Sequence, residues 1–370
     1  MCRNSTIFLG GIFGPHVRLG REVRHRCMNG VAGHDFAKTL PLPWVKCDEH
    51  GVVSAAVPWA RTRSTFTWQL EFRAQALCQK MPVTEVAEVL GVIDDRLLRM
   101  LGHYASVLRR QISMTGVTRV GVDETASRRG ERCITVFVDL DTHHVLYVAE
   151  GRSHETVLAF RDEMVRCGGD PDAVTEFSQD MSEAFAKGVR SGFPYARISY
   201  DKFHIIKAMN EAVDSVRREE QQTCEDLKKT RFLWLHNRSR LRAGQVTLLD
   251  GLLHRHLKTG RAYELRVQLQ EFFDQPVEYQ EAYLNKWFWQ ATHIRLRAVA
   301  DVAWMIRRHW NGILNAAATG TTNTVLEGIH SLIQRARSCA RGFGSVQNLV
   351  SMVYFLSNHF DRRTCTLSVE

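Results

Sequence analysis

Three carboxylates, Asp123, Asp180 and Glu327, have the residue type and the setting to do chemistry in this chain of 370 residues. Asp123 closes the apolar run Val120-Gly121-Val122, and Asp180 follows a second such run. Glu327 lies far downstream, in Thr322-Asn323-Thr324-Val325-Leu326-Glu327-Gly328-Ile329-His330. Carboxylate oxygens are the ligands that hard cations such as Mg²⁺ require. Attack on a phosphodiester needs an activated oxygen nucleophile and stabilisation of charge on the leaving oxygen. Two such cations, roughly 3.5–4 Å apart, do both. Two carboxylates at strand ends and a third on a helix form a donor set for that chemistry. By spacing alone Glu124, Asp139 and Asp141 compete with them, and turn or cap chemistry explains an isolated Asp at a strand end equally well.

The elements that must position these groups are legible as changes of period. Val120 to Asp123 reads as a strand. Ile134 to Leu140 is a nearly continuous apolar strand, as expected when both faces are covered. A turn at Asp141-Thr142-His143 leads into its hairpin partner, Val145 to Ala149. Residues 154–167 suit a helix, Val174 to Phe177 a strand ending near Asp180, and 182–190 a helix. Tyr195 to Ser199 reads as another strand, and Asp201 precedes a helix starting near Phe203. Three strands, helix, strand, helix, strand, helix is the order of a ribonuclease-H-like core. The Glu327 segment carries an apolar stripe of Val325, Leu326, Ile329, Leu332, Ile333 and Ala336. At about 100° per residue Glu327 falls opposite it, among His330, Gln334, Arg337, Ser338 and Arg341. A solvated surface helix would show the same pattern.

The flanks differ in kind. Residues 1–60 read as irregular, with Gly, Pro, His and Cys interspersed. Residues 65–112 are helical by pattern, with Leu70, Ala74, Leu77 and Met81 at helical spacing. Within them Pro82 to Val92 gives a short helix and a Gly turn, and a second helix follows, capped by Asp94 or Asp95. That is a helix-turn-helix pattern, also compatible with a small helical bundle. Its second helix carries Arg96 and Arg99. Residues 205–318 read as helical and rich in Arg, Lys and Trp. We assign Trp234, Trp287, Trp289, Trp304 and Trp310 there to the core rather than to base stacking. A break at Ala316 to Thr322 precedes the Glu327 helix.

Composition bounds the class. The length implies two or three domains. A formal net charge of +9 makes a polyanionic partner plausible without requiring one. The 9 cysteines are odd in number and scattered, which fits a reducing cytosol rather than a disulfide framework. Ile7 to Gly14 is too short and Gly-rich for a signal peptide. No stretch is long and apolar enough to span a bilayer.

Several segments, in order, resemble one family. They are Cys47-Asp48-Glu49-His50-Gly51-Val52, Val57-Pro58-Trp59-Ala60-Arg61, Gly121-Val122-Asp123-Glu124 and Ser178-Gln179-Asp180-Met181-Ser182. Further on come Asp201-Lys202-Phe203-His204-Ile205-Ile206-Lys207, Arg231-Phe232-Leu233-Trp234-Leu235, and Leu326-Glu327-Gly328-Ile329-His330-Ser331 continuing to Arg341-Gly342-Phe343. From about residue 44 to 358 the chain resembles the ISL-three family of DDE transposases of bacterial insertion sequences. That resemblance implies an α/β fold: a ribonuclease-H-like core with a large all-helical insertion, preceded by a helix-turn-helix region and a degenerate zinc-finger-like N-terminus. The implied divisions are 1–63, 64–115, 116–220, 221–318 and 319–370.

The resemblance also implies an activity. Asp123, Asp180 and Glu327 match the DDE positions and would hold two Mg²⁺ ions, or Mn²⁺, for cleavage and strand transfer. Asp201 and His204 would support substrate positioning or the core. Arg96, Arg99, Arg337 and Arg341 would contact DNA. The partners would be double-stranded DNA (terminal inverted repeats and target) and further copies of the chain, in the bacterial cytoplasm and away from any membrane. The family's Cys-x-x-Cys half-site is missing; only Cys47 and His50 of a zinc set are intact, and His25, Cys27 and His34 are poorly spaced substitutes. His330 stands where the family tends to have Asn. A catalytically inactive DNA-binding derivative and a nuclease without strand transfer are the alternatives.

Overall fold

The computed structural model describes residues 17–27, 36–47, 51–54, 60–61, 64–126, 133–320, 324–339 and 345–357. They fall into two compact units: residues 1–111 with 332–370, and residues 112–331.

The first unit opens on strands β1 (Val17–Cys27), β2 (Phe36–Cys47) and β3 (Gly51–Ser54), an antiparallel sheet in that order. This corrects the reading of residues 1–60 as irregular. β1 alternates apolar and charged residues, but Gly20 and the prolines at 41 and 43 of β2 mask the period. Three helices follow: α1 (Trp68–Cys78), α2 (Val83–Leu90) and α3 (Asp94–Gln111). The α1 stripe that turns inward is Leu70, Ala74 and Cys78, one step round the helix from the expected Leu77 and Met81. α2 ends at Gly91, whose φ of 61° lies in the left-handed region that glycine adopts without strain. There the Val92 N–H donates to the Ala87 carbonyl at 2.9 Å, closing the turn. Leu97, Met100, Leu101 and Tyr104 of α3 pack on Val86 and Leu90 of α2. Met352 and Phe355 of the late helix α14 (Val346–Ser357) complete this core.

The second unit is built on a five-stranded sheet. Its strands are β4 (Arg119–Ala126), β5 (Cys133–Asp139), β6 (Val145–Glu150), β7 (Glu176–Gln179) and β8 (Arg197–Tyr200). The order is β6-β5-β4-β7-β8; the β4–β5 and β5–β6 pairs are antiparallel, and β7 is parallel to both β4 and β8. Helices α4 (His154–Arg166) and α5 (Glu183–Gly192) pack on the sheet through Val157, Phe160, Phe185 and Val189, with the aromatics Phe137, Phe177 and Phe193. Phe137 stacks on Phe160 at 4.3 Å between ring centres, a contact worth about 0.5–1.5 kcal/mol beyond its burial.

Asp201 caps α6 (Lys202–Glu220), which starts a helical block of α7 (Arg231–Leu235), α8 (Ala243–Leu253), α9 (Lys258–Phe272), α10 (Val277–His293), α11 (Arg297–Arg308) and α12 (Trp310–Thr319). Trp234 and Trp287 are fully buried in its core, with indole N–H groups donating to Thr230 Oγ1 at 3.0 Å and the Leu265 carbonyl at 2.8 Å. Trp289 and Trp304 are exposed at 62% and 54%, correcting their assignment to the core. A stripe can bury only part of a helix's circumference, and each of these two sits off the stripe that Trp287 or Ala303 occupies. α12 returns to the sheet beside β8, where the Asn315 side chain donates to the Ile198 carbonyl at 3.0 Å. α13 (Thr324–Cys339) follows, and the boundary between the units falls inside it. No helix among the described residues is long and apolar enough to cross a membrane.

Candidate active site and DNA-binding helix

Strand pairing sets where the carboxylates stand. β4 continues past Asp123 to Ala126, so Asp123 lies within the strand and not at its end, as the apolar run implied. The reason is that β4 has two different neighbours. Against β5 its pairing runs through Asp123↔Val136 to Ala126↔Cys133. Against β7 it stops at Gly121↔Ser178. Asp123 therefore lies just beyond the parallel pair, on a strand still held by β5. β7 ends at Gln179, and Asp180 is the next residue.

Asp123 and Asp180 are both half-buried. The Asp123 carboxylate accepts the Glu124 backbone N–H at 2.7 Å, and Asp180 accepts that of Ser182 at 3.0 Å. Burial pushes the Asp180 carboxyl up, and the charges of Asp123 and Asp201 push it the same way, while the Ser182 N–H and His204 oppose them. Asp201, buried, accepts the Phe203 N–H at 2.9 Å and holds His204 Nδ1 at 3.0 Å through its other oxygen. That hydrogen bond raises the His204 pKa; the charges of Asp201, Asp123 and Asp180 add to it and burial works against it. A cation is thus favoured beside two crowded carboxylates.

Of the competing carboxylates that spacing offered, Glu124 belongs to this cluster. Glu124 is half-buried, and its carboxyl is raised first by burial, then by Asp180 and Asp123, against the pull of Arg152 at 3.8 Å and of His204. Its place beside Asp123 in Gly121-Val122-Asp123-Glu124 was the available signal; nothing in the sequence marked Arg152. The rival candidate Asp139 instead closes a turn, accepting the Asp141 N–H at 2.9 Å and the Thr142 hydroxyl at 2.6 Å. Asp141 pairs with Arg119 at 2.9 Å.

Glu327 has its backbone on α13, and its side chain lies outside the described residues. Among the described residues no three His, Cys, Asp or Glu side chains form a set that could hold a metal ion. Cys47 is the last residue of β2 and pairs with Gly51, while its side chain and all of His50 lie outside the described residues.

In the helix-turn-helix segment Asp94 accepts the Asp95 N–H at 2.9 Å at the start of α3. Arg99 is exposed and Arg96 half-exposed, both off the buried stripe of Leu97, Met100, Leu101 and Tyr104. Arg337 is half-exposed on α13, and Arg341 lies outside the described residues.

With this geometry in view, residues 120–353 match a family model described as a transposase. Residues 55–105 match the helix-turn-helix domain of transposase family ISL3. Over 244 residues the chain is 29% identical to the transposase for insertion sequence element IS1001 of Bordetella parapertussis. That alignment covers 63% of this chain and 59% of the relative, less than two thirds of its length. Over 346 residues it is 26% identical to the transposase for insertion sequence element IS1557 of Mycobacterium tuberculosis, covering 84% of this chain and 76% of the relative.

Proposed function

Because the chain belongs to transposase family ISL3, we propose that it cuts and joins DNA at a site formed by Asp123, Asp180 and Glu327. One observation supports this reading most. The parallel pairing of β4 with β7 ends at Gly121↔Ser178, two residues before each of Asp123 and Asp180, and burial, with the Asp123 charge adding to it, raises the Asp180 carboxyl. The five-stranded mixed sheet, in the order β6-β5-β4-β7-β8 with its first three strands antiparallel, supports reading the core as ribonuclease-H-like.

The donor set suits a hard divalent cation: oxygen ligands only, with Asp123 and Asp180 half-buried and their like charges ones that a cation would relieve. Asp123, Asp180 and Glu327 would hold Mg²⁺, or Mn²⁺ in its place. Two bound ions would supply an activated oxygen nucleophile and charge stabilisation on the leaving oxygen. The chain's own residues do the positioning. β5 holds Asp123 in the sheet, the Ser182 N–H fixes Asp180, and Asp201 orients His204 toward the pair. His204 and Arg152 then balance charge around Asp180 and Glu124.

Recognition of terminal inverted repeats falls to α2 and α3, with Arg96 and Arg99 at the DNA, and Arg337 and Arg341 assist from α13 and beyond. Target DNA is the second substrate, and copies of the chain assemble on DNA in the bacterial cytoplasm. Cys47 and His50 would contribute two ligands of a zinc site completed from elsewhere in the N-terminal region. The test is a purified-protein reaction with linear DNA carrying the element's ends. Cleavage at the ends and joined products, both requiring Mg²⁺ or Mn²⁺, are expected. Binding without cleavage would instead favour the inactive derivative, and cleavage without joining the nuclease.

A further inference from the structure

The run Arg231-Phe232-Leu233-Trp234-Leu235 has no part in the carboxylate site, yet its structure divides its residues by task. Leu233 and Trp234 are buried and anchor α7 in the helical core. Arg231 and Phe232 are left at the surface, Phe232 at 60% exposure with the Arg231 guanidinium 5.8 Å from its ring centre. That cation–π contact is itself mildly favourable, and it keeps a solvent-accessible ring beside a cationic side chain.

Beside them α6 and α7 enclose a groove of about 530 Å³. Four cations line it, Lys207, Arg217, Arg218 and Arg231, against two acids, Glu211 and Asp214. Asp214 is shared: Arg217 binds it at 2.8 Å, Arg231 at 3.3 Å and Arg218 at 3.6 Å. Arg217 is buried with it, which neutralises Asp214, while the side chains of Arg218 and Arg231 are 68% and 56% exposed. With Glu211 also on the α6 wall, the groove carries a net excess of two positive charges, most accessible at Arg218 and Arg231. The same helix carries His204 of the candidate active site, one turn before Lys207. His204, Glu211 and Arg218 are spaced by seven residues on α6, and Lys207 lies one turn beyond His204, so all face nearly one way. At 1.5 Å per residue, His204 to Arg218 spans roughly 21 Å. That equals about six base pairs of duplex at 3.4 Å per step.

We propose that this groove carries the phosphate backbone of the DNA strand leaving the cleavage site, with Phe232 stacking on an unpaired base at that strand's end. The inference rests on the reading that the protein acts on DNA. Phosphates satisfy Lys207, Arg218 and Arg231, and an unpaired base covers Phe232.

The experiment measures binding of the full-length protein across a salt series, without divalent cations. The probes are a short blunt duplex of arbitrary sequence and the same duplex with a single-stranded overhang. Each lost phosphate contact lowers the slope of log affinity against log salt by about 0.9, so the Arg218→Gln/Arg231→Gln variant should lose about 1.8. Lys207→Gln should lose about 0.9. Phe232→Ala should weaken the overhang probe about tenfold and leave the blunt duplex unchanged. Parental slopes in both charge variants, or equal effects of Phe232→Ala on both probes, would overturn the proposal. If those variants bind as the parent does while Asp123→Ala abolishes cleavage, the groove fails and the active-site reading stands. If the parent binds neither probe with a salt-dependent affinity, the reading of DNA action fails first.

Discussion

Asp180 and Asp201 occupy matching positions on neighbouring parallel strands. Gln179 pairs with Tyr200, and each strand's next residue is an aspartate. The Asp201 N–H donates to the Gln179 carbonyl at 3.0 Å, so the register persists to the point where both side chains emerge. One of these carboxylates belongs to the proposed metal site; the other caps α6 and grips His204.

That division predicts the behaviour of Asp201→Asn. Its amide can still accept the Phe203 N–H and cap α6, but it cannot sustain the charge that raises His204. In metal-free protein, NMR titration should show the parental His204 pKa above the usual imidazole value of about 6.5, and a lower value in the variant. The sign for stability follows: the contribution of the charged pair is fully present below about pH 6.5 and is lost as pH rises through the folded-state value. An unchanged His204 titration would show that Asp201 does not govern it.

Gly312 of α12 lies against the Tyr200 ring, and a Cβ there would come within 2.4 Å of two ring carbons. Gly312→Ala should therefore displace Tyr200, the residue before Asp201. Overpacking of this kind costs about 1–3 kcal/mol. A fall in the denaturation midpoint together with reduced cleavage is expected; parental values of both would mean that α12 shifts freely.

In the helix-turn-helix unit, Glu71 is fully buried and accepts from Ser64 Oγ at 2.5 Å, Tyr104 Oη at 2.5 Å and Arg61 at 3.1 Å. Tyr104→Phe removes one donor from a carboxylate that water cannot reach. It should destabilise the protein by about 1–3 kcal/mol, measured by chemical denaturation. An effect below about 0.5 kcal/mol would place it among ordinary surface changes.

Arg96→Ala/Arg99→Ala should weaken DNA binding and lower the salt slope by up to about 1.8 if both contact phosphate. Loss of preference for the element's ends, with slope retained, would instead assign them to base edges. If neither changes in a gel-shift titration, α3 is structural.

Much of the second unit was legible because its elements keep clean periods: the apolar run of β5, the hairpin turn at Asp141 to His143, and the helix start at Asp201. The strand that carries Asp123 was cut short because Glu124 and Thr125 are polar. They remain in β4 because β5 still pairs with them after β7 has stopped, and a one-dimensional pattern does not contain that asymmetry. The cluster of Glu124, Asp201 and His204 around Asp180 arises from register between strands far apart in sequence. Trp289 and Trp304 show a similar limit, since aromatic type alone does not say which side of a helix faces the core. In the N-terminal region, glycine and proline obscured strands that pair across a long hairpin. Glu327 rests on its helical pattern and the family resemblance, its side chain lying outside the described residues.

The central claim is that Asp123, Asp180 and Glu327 act as one metal-binding set. Mg²⁺-dependent cleavage of an end-bearing DNA by purified Asp123→Ala, Asp180→Ala and Glu327→Ala proteins tests it most directly, with Asp139→Ala as the comparison. Metal stabilisation is worth several kcal/mol, and about 1.4 kcal/mol is tenfold in rate, so each of the three should lose roughly a hundredfold or more. DNA binding should persist in all of them, and Asp139→Ala should cleave within a few-fold of the parent. Cleavage by Glu327→Ala at the parental rate would contradict the account.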